Sequence, residues 1–183
     1  DDGNNQDTLQ ARVNGYLQLN QNKYPAQAIH RIDYETSGLV LFCKHPFFQA
    51  YCDKNMEEHH IKKEYIALVQ GHTNYKNKKI ISNIARDRHN AKKMIIHPNG
   101  KESISIFNTL KNYKDYSLIQ VTILTGRKHQ IRVQCASLKH PILNDSLYGG
   151  KKIDNTGLLL QSHHIQFNDV DITCPQEKRF IRK

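Results

Sequence analysis

Asp33 sits in the stretch AIHRIDYETSGLVLF, residues 28–42, at the seam between a short apolar run and a polar turn. Arg31 lies two residues before it, Thr36-Ser37-Gly38 follows, and the apolar run Leu39 to Phe42 comes directly after. A carboxylate in that position can act as a nucleophile or hold developing positive charge. It can also do no more than form the turn, since Asp suits turns and a surface loop tolerates one. A phenolic candidate, Tyr65, lies in KKEYIALVQG, and a cationic one, Arg127, in GRKHQIRVQCASLKHPILNDSLYG. Taken singly, both have a bland reading. A tyrosine in an alternating strand is more often core than catalytic, and an arginine after a glycine can cap or pair on the surface. Hydrolysis by an acid pair needs a second carboxylate in a comparable turn, and the sequence offers none.

Other side chains with ligand chemistry do not group. Cys43, Cys52, Cys135 and Cys174 show neither a C-x-x-C pair nor zinc-like spacing. Three of them fall in apolar stretches, which predicts buried free thiols and fits a reducing cytosol. The pairs His59-His60 and His163-His164 are adjacent, and neighbouring side chains point apart on a helix or a strand, so neither pair chelates alone. No metal is expected.

The 183 residues suffice for one domain with a core, and 38% of them are hydrophobic. Lys and Arg number 27 against 17 acids, a net charge of +10. Such a charge draws a chain to polyanions, and nucleic acid comes before lipid because no amphipathic lipid-binding helix stands out. The charge is uneven: between Ile61 and Lys101 there are ten Lys/Arg and two acids, Glu64 and Asp87. A run of this kind is often just a solvated face. With the total charge behind it, we read it as a nucleic-acid face with Lys62, Lys92 and Lys93 among the phosphate contacts. No segment approaches the ~18 apolar residues that span a bilayer and no signal peptide is visible, so a cytoplasmic, membrane-free protein is expected; the sequence does not encode an oligomeric state, and a monomer is assumed.

The elements that must position these residues follow from periodicity and turn chemistry. Residues 1–6 are polar and expected to be loose. Asp7 or Thr8 can cap a helix with Leu9, Val13, Tyr16 and Leu17 on one face. Residues 28–30 read as a short strand, 31–37 as a loop and 38–44 as a buried strand; Pro46 opens a second helix to about residue 58. Strands are predicted over 64–69, 79–85, 94–97, 103–110 and 117–124, several with alternating polarity as in SISIF and SLIQVTI. A helix runs from Gly126 to about Leu138, with Ile131, Cys135 and Leu138 on one face, and Pro141 ends it. GLLLQSHHIQF is a further strand, and DVDIT can pair with it through Asn168-Asp169. Many strands with three inserted helices predict an α+β domain with a mixed, mostly antiparallel sheet.

Three stretches now join. HRIDYETSG, KKEYIALVQG and GRKHQIRVQCASLKHPILNDSLYG resemble, in this order, three motifs of the RluA-type pseudouridine synthases, which isomerise uridine in structured RNA. The matching positions are His30, Arg31, Asp33, Thr36, Ser37 and Gly38; Lys63, Tyr65, Ala67, Val69 and Gly71; then Gly126, Arg127, His129, Gln130, Ile131, Arg132, His140, Pro141, Ile142, Asp145, Tyr148 and Gly149. The resemblance covers about residues 28–167. It implies that Asp33 is the catalytic carboxylate and that Arg127 holds it charged and oriented. Tyr65 would stack on the flipped base, its hydroxyl handling the proton at C5. Arg31 would hold the opened RNA, and His129 and Arg132 are assigned to structure or to RNA rather than to chemistry. The reaction breaks the N1–C1′ bond, turns the base and rejoins it at C5; no atoms enter or leave, so stoichiometry requires no cofactor. The partner is RNA, ribosomal large-subunit RNA before tRNA.

Departures from the family pattern are modest. Tyr34 and Glu35 stand where Arg and Asp are usual, Lys128 stands for Thr, Gln134 for His, Lys139 for Gly and Asn144 for Gly. The family's first strand with its K-P-x-G turn is not seen before the first helix, nor is an S4 RNA-binding domain. The chain is therefore expected to be one catalytic domain over 1–183, cut inside its front. The rival reading is an RNA-binding module that has lost catalysis.

Overall fold

The computed structural model describes residues 7–181, so the tail expected at residues 1–6 lies outside it. The described chain forms two compact units. One holds the residues up to Arg31 together with Val40–Ile61; the other holds Ile32–Leu39 and everything from Lys62 onward.

In the first unit, α1 (Leu9–Leu19) starts at Thr8, whose hydroxyl accepts from the Ala11 amide at 3.1 Å. Asp7 turns instead to the Arg12 guanidinium, 2.5 Å away. β1 (Gln27–Ala28) pairs antiparallel with β3 (Phe42–Cys43), and a 3-10 turn at Pro46–Phe48 leads into α2 (Gln49–Glu57). The continuous strand predicted over 38–44 is not formed. Its ends pair in different sheets: Ser37–Gly38 (β2) runs parallel to β9 (Leu160–Phe167), while β3 joins β1. The physical reason is Gly38, whose φ of +102° does not continue a regular strand.

The second unit is built on one sheet. Its strands are β4 (Lys62–Gln70), β5 (Lys78–Arg86), β6 (Met94–Ile96), β7 (Lys101–Asn112), β8 (Tyr116–Ile123), β9 and β10 (Val170–Thr173). The spatial order is β10-β9-β4-β8-β7-β5-β6, antiparallel throughout, with β2 added in parallel to β9. The protein is therefore α+β with a mixed, mostly antiparallel sheet. β4 is central, and Tyr65 to Val69 are buried on both of its faces. The core around it includes Leu68, Phe107, Ile119, Val121, Leu158 and Leu159. β9 and β10 turn through Asn168, which takes φ +49° as Asn tolerates.

One helix, α3 (Gln130–Ser137), packs on this sheet, and it starts four residues later than the sequence predicts. Gly126 to His129 form a turn instead, and His129 sits at φ +54° just before the helix. Ile131 and Cys135 enter the main core with Leu138 against it, as their spacing requires. The other faces are buried too, and polar side chains there are paired. Gln134 donates to Ser82 Oγ and accepts from Ser105 Oγ at 2.8 Å. Gln130 accepts from Thr125 Oγ1 and the Arg127 amide and donates to the Ile104 carbonyl and Ser105 Oγ, all within 3.0 Å. A buried amide costs free energy unless its donors and acceptors are met, so this network fixes α3 in one position over β5 and β7.

Candidate active site

Asp33 opens a β-turn in which the Thr36 amide donates to the Asp33 carbonyl at 2.9 Å. β2 follows at once and docks on β9, with Gly38 opposite Ser162. The approach is so close that a Cβ on Gly38 would lie 2.1 Å from the Ser162 carbonyl oxygen. On the other side of β9, Ser162 is also the partner of Tyr65 on β4. The register slips there by one residue, a bulge that passes from Glu64 opposite His164 to Tyr65 opposite Ser162. One residue of β9 thus brings together the strand that ends the Asp33 turn and the strand that carries Tyr65. Burial pushes the Tyr65 phenol up to about 12, and the charge of Asp33 adds in the same direction, so the phenol stays neutral at physiological pH.

The cation beside Asp33 comes from α3. Arg132 is 4% exposed in its side chain, and Nη1 lies 3.9 Å from Asp33 Oδ2. Its Nε and Nη2 each donate to one oxygen of the fully buried Asp145 at 2.8 Å, and Nη2 reaches Glu35 Oε2 at 3.4 Å. Asp145 also accepts from the Tyr148 amide at 3.2 Å, and the Tyr148 ring lies 5.1 Å from the guanidinium carbon. The loop that presents these two is closed by the Gly150 amide bonding to the Asp145 carbonyl. A Cβ on Gly150 would lie 1.8 Å from the Ile142 carbonyl oxygen. Desolvation is the largest single influence and works against the charge on Arg132, but the bonds to Asp145 together with the charges of Asp145, Asp33 and Glu35 outweigh it and raise its pKa.

His129 completes the cluster. Nε2 lies 3.9 Å from Asp33 Oδ1, and Nδ1 is 2.8 Å from the Tyr148 hydroxyl. Burial lowers the His129 pKa from its ordinary 6.5, with Arg132 and Lys128 also pushing down and Asp33 pulling up. The ring is therefore neutral near pH 7. The Tyr148 oxygen accepts from the Met94 amide at 2.9 Å, which leaves its own proton for Nδ1. That tautomer puts the Nε2 proton, and not a lone pair, toward the carboxylate. Asp33 remains 23% exposed in its side chain, so one side of it is open for a reacting atom.

The structure brings together Asp33, Tyr65, His129 and Arg132. It does not bring Arg127 to Asp33, which corrects the expectation drawn from the motif. Arg127 is exposed, and its Nε donates to the Glu102 carbonyl at 2.9 Å. It belongs to the turn before α3, whereas Arg132 lies inside α3, three residues after His129 at the mouth of the helix. Sequence reading set Arg132 and His129 aside from chemistry and gave Asp145, Tyr148 and Glu35 no role in the site. The i, i+3 spacing of His129 and Arg132 was the available signal. Among the expected RNA contacts, Arg31 is exposed in the first unit. Lys62 is paired with Glu64 at 3.1 Å, Lys92 is exposed, and Lys93 Nζ lies 5.6 Å from the centre of the Tyr148 ring. Lys63, from the same charged run, is buried, and desolvation lowers its ammonium to about 8.

Comparison with known proteins identifies the family. The sequence profile described as RNA pseudouridylate synthase matches residues 2–137. An uncharacterized RNA pseudouridine synthase of Bacillus subtilis, YhcT, is 37% identical over 145 residues, 78% of this chain and 48% of that protein. Ribosomal large subunit pseudouridine synthase C of Buchnera aphidicola is 40% identical over 128 residues, 69% of this chain and 41% of that protein. Synthase D of Borreliella burgdorferi is 32% identical over 170 residues, 90% of this chain and 51% of its own length. The chain thus spans about half the length of these relatives or less. Among solved structures, human RNA pseudouridylate synthase domain containing 1 superposes with a TM-score of 0.75 at 25% identity, over 82% of this chain and 69% of that one. With its three motifs in order, its strand order and a profile match over residues 2–137, the chain belongs to the RluA-type family of RNA pseudouridine synthases.

Proposed function

We propose that the protein converts specific uridines to pseudouridine in structured RNA, with Asp33 as the catalytic carboxylate and large-subunit ribosomal RNA as the favoured substrate ahead of tRNA. The observation that carries this reading is the half-open Asp33 carboxylate between Arg132 and His129. The relatives named for the ribosomal large subunit support the choice of RNA. Such a substrate suits a cytoplasmic enzyme.

The target base leaves its helix, at a cost of a few kcal/mol. Asp33 attacks the sugar C1′ or C6 of the base, or stabilises positive charge at C1′, while the N1–C1′ bond breaks. The base turns, C5 bonds to C1′ as any bond to Asp33 breaks, the C5 proton passes to water and N1 takes one from water, so the product is an isomer. The fork of Arg132, fixed on Asp145, orients Asp33. Tyr65, held neutral by burial, serves as the platform on which the uracil turns and not as a phenolate base.

Release of tritium from RNA labelled at C5 of uridine tests this directly, since only substitution at C5 frees the label. The protein should release it, and Asp33→Asn should not, while folding and RNA affinity stay near wild type. Asn keeps the size and turn preference of Asp but loses the charge and the nucleophilic oxygen. Near-normal release by Asp33→Asn would sink the mechanism; RNA binding without any release by the wild type would favour a binding module.

A further inference from the structure

Tyr34, directly after Asp33, is 102% exposed, more than any other large apolar or aromatic side chain among the described residues. It makes no hydrogen bond, ion pair or ring contact with any described residue. The backbone beneath it is well held. The Thr36 amide bonds to the Asp33 carbonyl at 2.9 Å, Thr36 is buried, and Glu35 reaches Arg132 at 3.4 Å. A free aromatic ring on a fixed turn contributes nothing to the core, and water is its least favourable surrounding.

The geometry points to Tyr34 as a stacking platform for the base next to the target uridine in the opened RNA strand. This rests on the pseudouridine synthase reading above. Consecutive Cα atoms are about 3.8 Å apart, so the Tyr34 ring lies within reach of a nucleotide flanking the one at Asp33. Extruding a uridine strips its neighbours of a stacking partner, and an aromatic face restores one whatever the base, because every base has a π-face. The turn is already ordered, so only the ring's two torsions are lost on binding. The position usually carries Arg in the family; the neutral ring here can stack on a base but cannot pair with a phosphate. Its contribution should therefore not depend on salt.

The chain contains no tryptophan, so Tyr34→Trp introduces the sole indole. Unmodified in-vitro transcripts of large-subunit ribosomal RNA, added to that full-chain variant, should quench its emission, and the variant should still release tritium. Tyr34→Ala should weaken RNA binding and lower kcat/KM by about 5- to 150-fold, with the melting temperature and the salt slope of binding unchanged. Tyr34→Phe should match the wild type. The platform is overturned if RNA that demonstrably binds leaves the indole emission unaltered, or if Tyr34→Ala converts uridine as the wild type does. A wild type that releases no tritium sinks the functional reading and the platform together; normal wild-type turnover with an indifferent Tyr34→Ala sinks the platform alone.

Discussion

Arg132 divides its guanidinium among three carboxylates: both oxygens of Asp145, Oε2 of Glu35 and, across 3.9 Å, Asp33. Asp145 has no solvent of its own, so the pair is strongly asymmetric: intact it contributes modestly, but removing one member strands a buried charge. Arg132→Met should therefore lower stability by about 3–5 kcal/mol in denaturant titration. Arg132→Lys keeps the charge and loses the fork, and should cut kcat/KM at least about tenfold, while the exposed Arg127→Lys stays within about twofold. The opposite ranking in tritium release would return the orienting role to Arg127. His129 gives a pH test. Its folded pKa lies below the unfolded value of 6.5, so as pH falls through 6.5 the unfolded chain takes up a proton that the folded one refuses. Stability is lost on that acid side and is fully present above it. His129→Gln lacks this contribution, so its melting temperature should decline less between about pH 7 and pH 5 than that of the wild type. An equal decline would show that the ring is not neutral in the fold.

β9 is the element on which the site depends, because Ser162 faces β2 on one edge and β4 on the other. Its neighbour His164 bridges strands in the same way, with Nδ1 2.7 Å from Glu64 on β4 and Nε2 2.8 Å from Asp171 on β10. Gly38 is the point of least tolerance. Its φ of +102° strains any L side chain, and the clash of a Cβ falls on backbone atoms of Ser162, which cannot swing aside. Gly38→Ala should cost on the order of 3 kcal/mol or more. Because β2 would lift from β9 while β4 to β8 keep their pairing, amide exchange should rise at Leu39, whose N–H donates to the Ser162 carbonyl at 3.0 Å. Its strand-core amides should change less. Exchange raised evenly over the sheet would mean that β2 is not a separable clamp.

The chain carries +10, and under the proposed function that charge should govern its encounter with RNA. Binding to a structured RNA should weaken steeply with salt, since each phosphate neutralised adds roughly 0.7–0.9 to the log–log slope. The charged run does not contribute evenly. Lys63 is in the core and Lys62 is engaged by Glu64, whereas Lys92 is in solvent and Lys93 borders Tyr148. Replacing Lys92 and Lys93 together by Ala should reduce the slope by about one to two, and Lys62→Ala by less. A flat salt dependence in the wild type would remove the basic face from the account. Among the described residues no helix is long and apolar enough to cross a membrane.

Sequence alone determined the family, the fold class and most elements, because period-two alternation, caps and turn residues act locally and the motifs span long stretches. It also placed Asp33 on a turn and Tyr65 on a strand. It misjudged the segment 38–44, where one glycine at positive φ sends two pairs of residues to different sheets. It also chose Arg127 over Arg132, two guanidines five residues apart in one motif. That choice depends on where α3 begins, and its start is set by the Gln130 amide held by Thr125, Ile104 and Ser105, groups 5 to 26 residues away. Only packing in three dimensions closes that network, turns His129 and Arg132 toward the carboxylate, and leaves Arg127 on the Glu102 carbonyl in solvent.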